Sequence, residues 1–408
     1  MISVEEARGR ILASIKPLPW EQVTVAQALG RVLAEDVVAR VTQPPASVSA
    51  MDGYAVRAAD VATVPATLAI VGHVPAGGRH DRALTAGQAV RIFTGAPLPE
   101  GADAVVIQED TAAKGDKVTV KESAARGNYV RPAGLDFRAG DVGIKAGRRL
   151  TARDVGLAAA MNVPWLKVHR RPRVAILATG DEVVMPGTPI GPSQIVCSNG
   201  LSLAAAVAGC GGEAIDLGIV ADDREALKAM VAGVRGADLL VTTGGASVGE
   251  HDLVREALGD VGLAIDFWSI AMRPGKPLIF GKIGKGDGGV AMLGLPGNPV
   301  STLVCALIFL VPALERMQGL APANGPSPTA VLTRALPAND RRQDYLRATL
   351  SHAADGALQA TPFDKQDSSM LATLAHADCL VMRPPLAAPA KAGERVVIVP
   401  FPQGTTAL

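Results

Sequence analysis

The chain has 408 residues, which is long enough for two or three separate hydrophobic cores. Lys and Arg number 40 and Asp and Glu 39, so the formal net charge is +1. This balance argues against general binding of nucleic acid, which needs clustered excess basic charge, and we expect no nucleic-acid partner. Aromatic residues make up only 3% of the chain, so aliphatic cores are predicted.

The four cysteines are far apart and form no C-x-x-C pair, which argues against a zinc or iron–sulfur site. Such scattered cysteines are typical of reduced thiols in a cytoplasmic protein. The N-terminus lacks a basic segment followed by an apolar one, so no signal peptide is predicted. The most apolar run, residues 303–314, is shorter than the roughly 20 residues of a membrane span and is predicted to be a buried helix. We therefore expect a cytoplasmic protein without a membrane partner.

The first predicted element is an amphipathic helix. Ser3 can cap it, with Glu6 completing a capping box, and apolar residues follow on one face. A second helical stretch is predicted at about residues 25–33, and helical character returns at residues 152–161. Residues 1–43 and 135–172 are therefore predicted to form one discontinuous helical linker domain. Between them, residues 44–134 are rich in Gly, Pro and short β-type runs, which predicts an inserted β-rich domain.

From residue 173 onward, strands and helices alternate. This pattern predicts a three-layer α/β domain with a mostly parallel sheet at residues 173–318. The predicted strands are residues 174–178, 214–220, 238–242, 277–281 and 290–295. The predicted helices are residues 199–208, 224–234, 252–258 and an apolar helix from Pro299 to 314 with Asn298 as N-cap. The last module, residues 325–408, is predicted to be a small β-barrel.

Glycine-rich and charged segments follow several of these strands, at the edge where open α/β sheets bind ligands. In residues 242–252, Thr-Thr-Gly-Gly-Ala-Ser-Val-Gly-Glu-His-Asp, the glycines allow backbone N–H groups to approach a phosphate. The segment is neither a Walker loop nor a dinucleotide fingerprint. A single glycine-rich turn is more often structural than functional, and its acidic and basic neighbours strengthen the functional interpretation.

Carboxylates stand at the ends of three predicted strands. They are Asp181 and Glu182, Asp222 and Asp223, and Glu250 and Asp252. One such carboxylate is usually only solvated, but several at one rim predict a Mg²⁺ site, since Mg²⁺ takes a few carboxylates together with phosphate oxygens. Arg273 and Lys276 flank a Pro-Gly turn and suit a phosphate or another oxyanion, although a plain basic loop fits equally well.

Two further motifs lie outside the α/β domain. Residues 49–56 place Asp52 and an aromatic residue at a tight turn, and residues 92–103 form a Pro/Gly-rich loop that contains Thr94. Long ordered loops are often functional, but both segments also fit structural corners. The six histidines are scattered, so neither a hydrolase triad nor a histidine metal cluster is predicted.

Six segments together resemble the molybdopterin molybdenumtransferases, the family of molybdenum insertases that includes bacterial MoeA proteins and is similar to the E domain of gephyrin. They are residues 49–56, 94–103, 179–182, 243–252, 273–277 and 295–301. The resemblance covers nearly the whole chain and is far more specific than any one loop. It implies the four domains already predicted. The fold class is therefore multidomain α/β plus β, with a central three-layer α/β domain, a helical linker domain, an inserted β-rich domain and a C-terminal β-barrel.

The resemblance also implies an activity. Family members take adenylylated molybdopterin and molybdate with Mg²⁺, insert molybdenum into the dithiolene and release AMP. They work as elongated homodimers whose active cleft lies between the α/β domain of one subunit and the inserted domain of the other. The implied protein partners are the adenylyltransferase that supplies the substrate and the molybdoenzyme maturation proteins. Molybdate and tungstate fit equally, because they have nearly the same size and charge.

Residue roles follow from the same resemblance, position by position. The implied catalytic residues are Asp52, Thr94, Glu182, Asp222, Asp252 and Lys276, and Glu182, Asp222 and Asp252 would hold Mg²⁺. The implied substrate-binding residues are Asp136, Gly244, Gly245, Ser247, Gly249, Arg273, Pro296, Asn298, Pro299, Arg347 and Ser368, with Ser369 as an equal candidate for the last. Asp52, Thr94 and Asp136 would complete the cleft from the partner subunit.

Two other functions remain open at this point. A molybdopterin adenylyltransferase would resemble residues 174–314, but the long preceding segment with Asp52 and Thr94 argues against it. A non-catalytic scaffold or cofactor-binding paralogue would keep the fold, but the acidic residues retained at every motif argue against that.

Overall fold

The computed structural model describes residues 1–232, 234, 236–244, 259–260, 262–284, 289–321 and 327–401. Residues 1–172 carry helices α1 (Val4–Ser14) and α2 (Ala152–Ala160) and strands β1 (Trp20–Thr24), β2 (Val37–Val38), β3 (Val48–Ser49), β4 (Gly53–Val56), β5 (Ala66–Val74), β6 (Gln88–Ile92), β7 (Ala104–Ile107), β8 (Thr111–Lys114), β9 (Lys117–Val120), β10 (Val130–Arg131), β11 (Val142–Ile144) and β12 (Trp165–His169).

The described part of the next segment forms the α/β unit. Its strands are β13 (Arg173–Thr179), β14 (Val183–Val184), β15 (Ile195–Val196), β16 (Glu213–Val220), β17 (Leu239–Thr243), β18 (Leu263–Ser269), β19 (Met272–Arg273), β20 (Pro277–Ile283) and β21 (Val290–Leu295). Its helices are α3 (Asn199–Gly209), α4 (Arg224–Ala232), α5 (Pro299–Cys305) and α6 (Val311–Met317). The C-terminal unit contains β22 (Thr329–Leu332), β23 (Gln343–His352), β24 (Leu358–Pro362), α7 (Leu371–Ala375), β25 (Cys379–Arg383) and β26 (Arg395–Pro400).

Helix α1 has the predicted cap, because the Glu6 N–H donates to the Ser3 hydroxyl at 3.0 Å. Its buried residues, Val4, Ala7 and Ile11, belong to the same hydrophobic core as the α/β sheet. The helix therefore packs on the α/β unit, whereas the rest of the linker unit has its own core.

The linker unit contains more strand than predicted. β1 pairs antiparallel with β12, and β2 with β11, so the chain on either side of the inserted unit closes on one core with α2. The helix predicted over residues 25–33 is wrong, since only a 3-10 turn at Val25–Gln27 forms there. The preceding β-branched residues favour extended backbone, and Gly30 leaves the helical region with a φ of 74°.

The inserted unit is built on a mixed sheet in the order β7-β4-β6-β5-β9-β8. β4 and β6 are antiparallel neighbours, and Gly53 lies opposite Ile92. This register brings the turn before β4, which carries Asp52, next to the loop after β6, which carries Thr94.

The α/β sheet has the order β16-β13-β17-β21-β20-β18. Its first four strands are parallel, as predicted, and β20 and β18 add an antiparallel edge. The sequence pattern does not predict β18, an edge strand whose apolar run is interrupted by Asp266. The helix predicted at residues 252–258 lies outside the described residues.

The predicted buried helix follows β21 as α5, a π-helical segment (Ala306–Leu310) and α6. Within the described residues, Pro299–Met317 is the helix whose length and composition would allow a membrane span, with a mean hydropathy of 1.8. Its apolar window is 67% buried inside the structure. Its buried residues include Val304, Phe309 and Leu314, which pack in the core beneath the sheet.

The C-terminal unit is the predicted barrel. β23 pairs with both β24 and β25, and β22 and β26 complete the circle, so five strands close on themselves. The short strand β19 of the α/β unit pairs in parallel with β23. The barrel is therefore joined to the segment that carries Arg273 and Lys276.

Candidate active site

A cavity of about 760 Å³ lies at the carboxyl ends of β13, β17 and β21. We call it the rim cavity. Six of the residues assigned from the sequence line it, namely Glu182, Asp222, Gly244, Pro296, Asn298 and Pro299. They come together because parallel strands end at the same edge of the sheet, as the sequence analysis expected.

The close approach of two strand ends requires a glycine at position 244. Gly244 has a φ of 90°, and a Cβ atom there would lie 2.3 Å from the carbonyl oxygen of Thr179. The Thr179 hydroxyl is buried and has no hydrogen-bond partner among the described residues. Backbone therefore lines this part of the wall, where a larger side chain would obstruct a ligand.

Asn199 is a cavity residue that the sequence analysis did not assign. Its amide donates to the Thr243 hydroxyl at 2.9 Å and to the Gly297 carbonyl at 2.7 Å. It thereby ties the start of α3 to the ends of β17 and β21. The available sequence signal was a polar residue at the first position of a predicted helix, at the ligand-binding edge of the sheet.

Acidic side chains form one wall of the rim cavity. The Asp222 N–H donates to the Asp181 carboxylate at 3.0 Å, and Glu182 lines the same wall. Partial removal from water raises the pKa of Asp222, and the negative charges of Asp181 and Glu182 raise it further. A bound cation would relieve this repulsion. In the described part of the chain, no three His, Cys, Asp or Glu residues form a metal-binding cluster.

The helix start at residues 298–300 is tied to the barrel. The Asn298 amide donates to the Ser368 hydroxyl at 3.0 Å, and the Val300 N–H donates to the Ser368 carbonyl at 3.1 Å. Asn298 occupies the predicted N-cap position, but its side chain makes this contact and no capping bond. Ser369, the alternative to Ser368, lines the cavity itself.

The two cations of the basic segment have different environments. Arg273 contacts Asp344, Asp340 at 3.2 Å and Asn339 at 3.2 Å, all from the barrel unit. The bond to Asp344 is the main cause that raises the pKa of Arg273. Lys276 is exposed and has no ion-pair partner in the described part of the chain. Of the two predicted oxyanion ligands, Arg273 therefore contacts protein carboxylates, whereas Lys276 contacts none of those in the described ranges.

Arg347, to which the resemblance assigns a substrate-binding role, is not among the residues that line the rim cavity. Its exposed fraction is 1%, and its guanidinium donates to Gln366, to the Met370 carbonyl at 3.0 Å and to the Lys365 carbonyl at 3.3 Å. Burial lowers its pKa. Arg347 therefore holds the barrel loop that carries Ser368, and it acts from behind the cavity wall.

Asp52, Thr94 and Asp136 lie apart from this cavity. One Asp52 oxygen accepts bonds from the Thr94 N–H and the Thr94 hydroxyl, each at 2.8 Å. Asp136 lines a separate hollow of about 580 Å³, together with Gly95 and Arg131. Among the described residues, none from the inserted unit lines the rim cavity. Four other predicted residues, Gly245, Ser247, Gly249 and Asp252, lie outside the described part of the chain.

Fold and site together define a multidomain α/β protein with a cavity of ligand size at the carboxyl edge of a mostly parallel sheet and a C-terminal barrel. Three family models match the chain in order. The MoeA N-terminal region, domains I and II, matches residues 2–162, a probable molybdopterin binding domain matches residues 175–316, and the MoeA C-terminal region, domain IV, matches residues 329–401.

A molybdopterin molybdenumtransferase of Nostoc sp. is 37% identical, with 98% of this chain and 94% of the relative covered. One from Haemophilus influenzae is 34% identical, with 98% and 99% covered. Two solved structures of molybdopterin biosynthesis MoeA proteins from Pyrococcus horikoshii match with TM-scores of 0.85 and 0.82 at 33% and 27% identity, covering 99% and 98% of this chain and 100% of each of theirs. The chain belongs to the molybdopterin molybdenumtransferase family, the MoeA-type transferases of molybdenum cofactor biosynthesis. The fold class and the enzyme class predicted from the sequence are thus confirmed.

Proposed function

We propose that this protein transfers molybdenum from molybdate to adenylylated molybdopterin and releases AMP. The observation that carries the proposal is the rim cavity, with a glycine-lined wall at Gly244 and an acidic wall at Glu182 and Asp222. Its volume, about 760 Å³, lies within the range of pockets that enclose ligands of nucleotide size. A phosphorylated ligand can approach the backbone at Gly244, while the acidic wall favours a cation beside its phosphates.

The described residues are compatible with Mg²⁺. Glu182 and Asp222 would hold it with phosphate oxygens of the substrate, and Asp252 is the third carboxylate assigned from the sequence. Two hard oxygen donors are enough, because Mg²⁺ commonly binds one or two carboxylates and keeps water or phosphate in its other positions. When bound, the ion would neutralise charge on the phosphate that leaves with AMP.

The chain's own residues would orient the substrates. Asn199 would fix the relative positions of the Thr243 side chain and the Gly297 backbone, so that the cavity is formed before the ligand arrives. Lys276, at the exposed end of the basic segment, would attract molybdate as a point charge. Pro296, Asn298 and Pro299 would shape the wall beside the barrel.

A homodimer would supply the remaining wall. Asp52 and Thr94 lie in the inserted unit and Asp136 lies in the linker unit. Among the described residues, neither unit lines the rim cavity of the same subunit. Their polar groups would face substrate if a second copy brought its inserted unit to this edge of the sheet. The proposal thus includes a homodimeric, cytoplasmic enzyme that receives its substrate from the adenylyltransferase and delivers its product to molybdoenzyme maturation proteins.

Purified protein incubated with adenylylated molybdopterin, molybdate and Mg²⁺ is expected to release AMP and to yield active cofactor. AMP release no greater than in a control without enzyme would overturn the proposal. Binding of the adenylylated ligand without AMP release would favour the non-catalytic paralogue. Formation of adenylylated molybdopterin and pyrophosphate from ATP and molybdopterin would favour the adenylyltransferase.

A further inference from the structure

The segment that carries Lys276 is held from the barrel side. We call residues 272–277 the basic loop. β19, at its start, pairs in parallel with β23 of the barrel, and Arg273 contacts Asp344 and Asp340. Asp344 is 4% exposed, whereas the side chain of Asp340 is 43% exposed. The same guanidinium therefore has one buried and one solvated carboxylate partner.

The basic loop is also held from below by the core helix. Gly275 has a φ of 112°, and a Cβ atom there would lie 2.4 Å from the Sγ of Cys305, which is fully buried in α5. The loop can therefore follow its path only because position 275 has no side chain. Lys276 is the next residue, and the one after it, Pro277, lines the rim cavity.

Arg273 is the ionic partner that holds Asp344 in place. The second oxygen of Asp344, Oδ1, is buried and has no hydrogen-bond partner among the described residues. If Arg273 turned toward the cavity, it would leave a buried carboxylate without its cation, which is strongly unfavourable. The contact therefore keeps Arg273 pointed at the barrel.

We propose that Asp344 is a positioning residue that fixes the basic loop through Arg273, so that Lys276 alone of the two cations meets the incoming oxyanion. This rests on the proposed function for its consequence, the capture of molybdate. The contact itself can be tested independently of that function. In this proposal Arg273 links the barrel to the α/β unit and does not bind molybdate.

The test compares Asp344→Asn with Asp340→Asn, which removes a charge from the same guanidinium on its solvated side. In Asp344→Asn we expect the KM for molybdate to rise by about ten- to a hundredfold, since small misplacements of a positioning group have effects of this size, with a smaller change in kcat. In Asp340→Asn we expect a change of less than about twofold, because exposed ion pairs contribute little. An unchanged KM in Asp344→Asn would overturn the proposal, and so would a lower KM, since a released Arg273 would then be binding molybdate.

A second measurement does not depend on activity. Hydrogen–deuterium exchange of the backbone at residues 270–277 is expected to quicken at least about tenfold in Asp344→Asn and to stay unchanged in Asp340→Asn. If exchange is faster in Asp344→Asn but the wild type is inactive, the proposed function is wrong and the positioning contact is supported. Equal exchange rates in both variants and the wild type would show that Asp344 does not position the basic loop.

The double variant Arg273→Gln with Asp344→Asn separates positioning from loss of folding. Unlike Arg273→Gln alone, which would leave the Asp344 carboxylate buried and unpaired, the double variant leaves no buried charge and is expected to fold. Its KM for molybdate should match that of Asp344→Asn, because both lose the same contact. If the effects of the two single substitutions on KM instead multiplied, Arg273 and Asp344 would be acting separately, which contradicts the proposal.

Discussion

Asp52 accepts two hydrogen bonds from Thr94, one from the backbone N–H and one from the hydroxyl, each 2.8 Å long. The two residues are 42 positions apart and meet because β4 and β6 are neighbours in the inserted sheet. Both bonds favour the ionised carboxylate, first the one from the N–H, so the pKa of Asp52 lies below its ordinary value, and the charge of Arg91 adds to the effect. Asp52 is therefore a fixed negative charge at neutral pH.

Replacing Asp52 by Ala is expected to lower turnover by at least about a hundredfold, the usual effect of losing a positioned acid–base or polar group, while the fold and the oligomeric state stay as in the wild type. The depressed pKa means that this carboxylate stabilises the fold above its unfolded-state pKa, and that the contribution is lost only as pH falls through the lower folded-state value. No acid limb from Asp52 is therefore expected in kcat/KM between pH 5 and 8. Size-exclusion chromatography checks that the variant keeps its fold and oligomeric state, and steady-state kinetics at several pH values check the loss of turnover and the absence of an acid limb. A fully active Asp52→Ala protein would show that the inserted unit is not part of the cleft.

Asp222 behaves in the opposite way, because its folded-state pKa is raised. Its ionisation is disfavoured in the native state, so this residue reduces stability progressively as pH rises from the unfolded-state pKa through the folded one. Asp222→Asn is thus expected to raise the melting temperature of metal-free protein slightly at pH 7.

Mg²⁺ should raise the melting temperature of the wild type, because an ion that binds only the native state stabilises it. It should have little effect on Asp222→Asn, which lacks one of the proposed carboxylate ligands. Thermal unfolding with EDTA and with Mg²⁺ measures the difference. Glu213→Gln is the matched control, because Glu213 lies at the opposite end of β16, the strand that Asp222 follows, and this variant should respond to Mg²⁺ as the wild type does. An equal response of Asp222→Asn would remove Asp222 from the metal site.

Gly244→Ala is expected to destabilise the protein by about 1–3 kcal/mol, since a residue with a Cβ would be strained at a φ of 90° and would contact the Thr179 carbonyl. Gly209→Ala is the control, because a Cβ there meets nothing within 4 Å and φ is not positive. The control should be neutral or more stable by up to about 1 kcal/mol. Urea unfolding of both variants tests the comparison, and equal stabilities would show that the two strand ends do not approach as closely as described.

Asn199→Asp keeps the shape of the side chain but replaces the amide donor by a carboxylate, which faces the Gly297 carbonyl. The bond to the Gly297 carbonyl is lost, and the Thr243 hydroxyl can donate to the new carboxylate only by giving up its bond to the Pro296 carbonyl. We therefore expect a loss of about 1–3 kcal/mol in stability and weaker binding of the adenylylated ligand. Asn128→Ala is the control, because Asn128 is exposed on the inserted unit and its side chain makes no described bond. Calorimetric titration with the ligand measures the affinity, and wild-type affinity in Asn199→Asp would contradict the assignment of Asn199 to the site.

Much of the fold could be predicted because it depends on local periodicity. The cap of α1, the strand–helix alternation after residue 173 and the barrel strands follow from apolar spacing and capping residues. The prediction of a helix at residues 25–33 is wrong, because it used apolar spacing alone and ignored the preference of β-branched residues for extended backbone. The edge strand β18 was missed for a related reason, because its burial depends on β20 beside it.

The sequence by itself determined that Glu182, Asp222, Gly244 and the residues around Pro296 would share one rim, because strand direction in a parallel sheet decides where loops meet. It did not determine which charged groups are available to a ligand. Arg273 and Lys276 are equivalent in sequence, and only the docking of the barrel pairs Arg273 with Asp344. Likewise, Arg347 is buried behind the wall by a loop of its own barrel. Such contacts join side chains distant in sequence, so the packing of units, which no local pattern encodes, decides them.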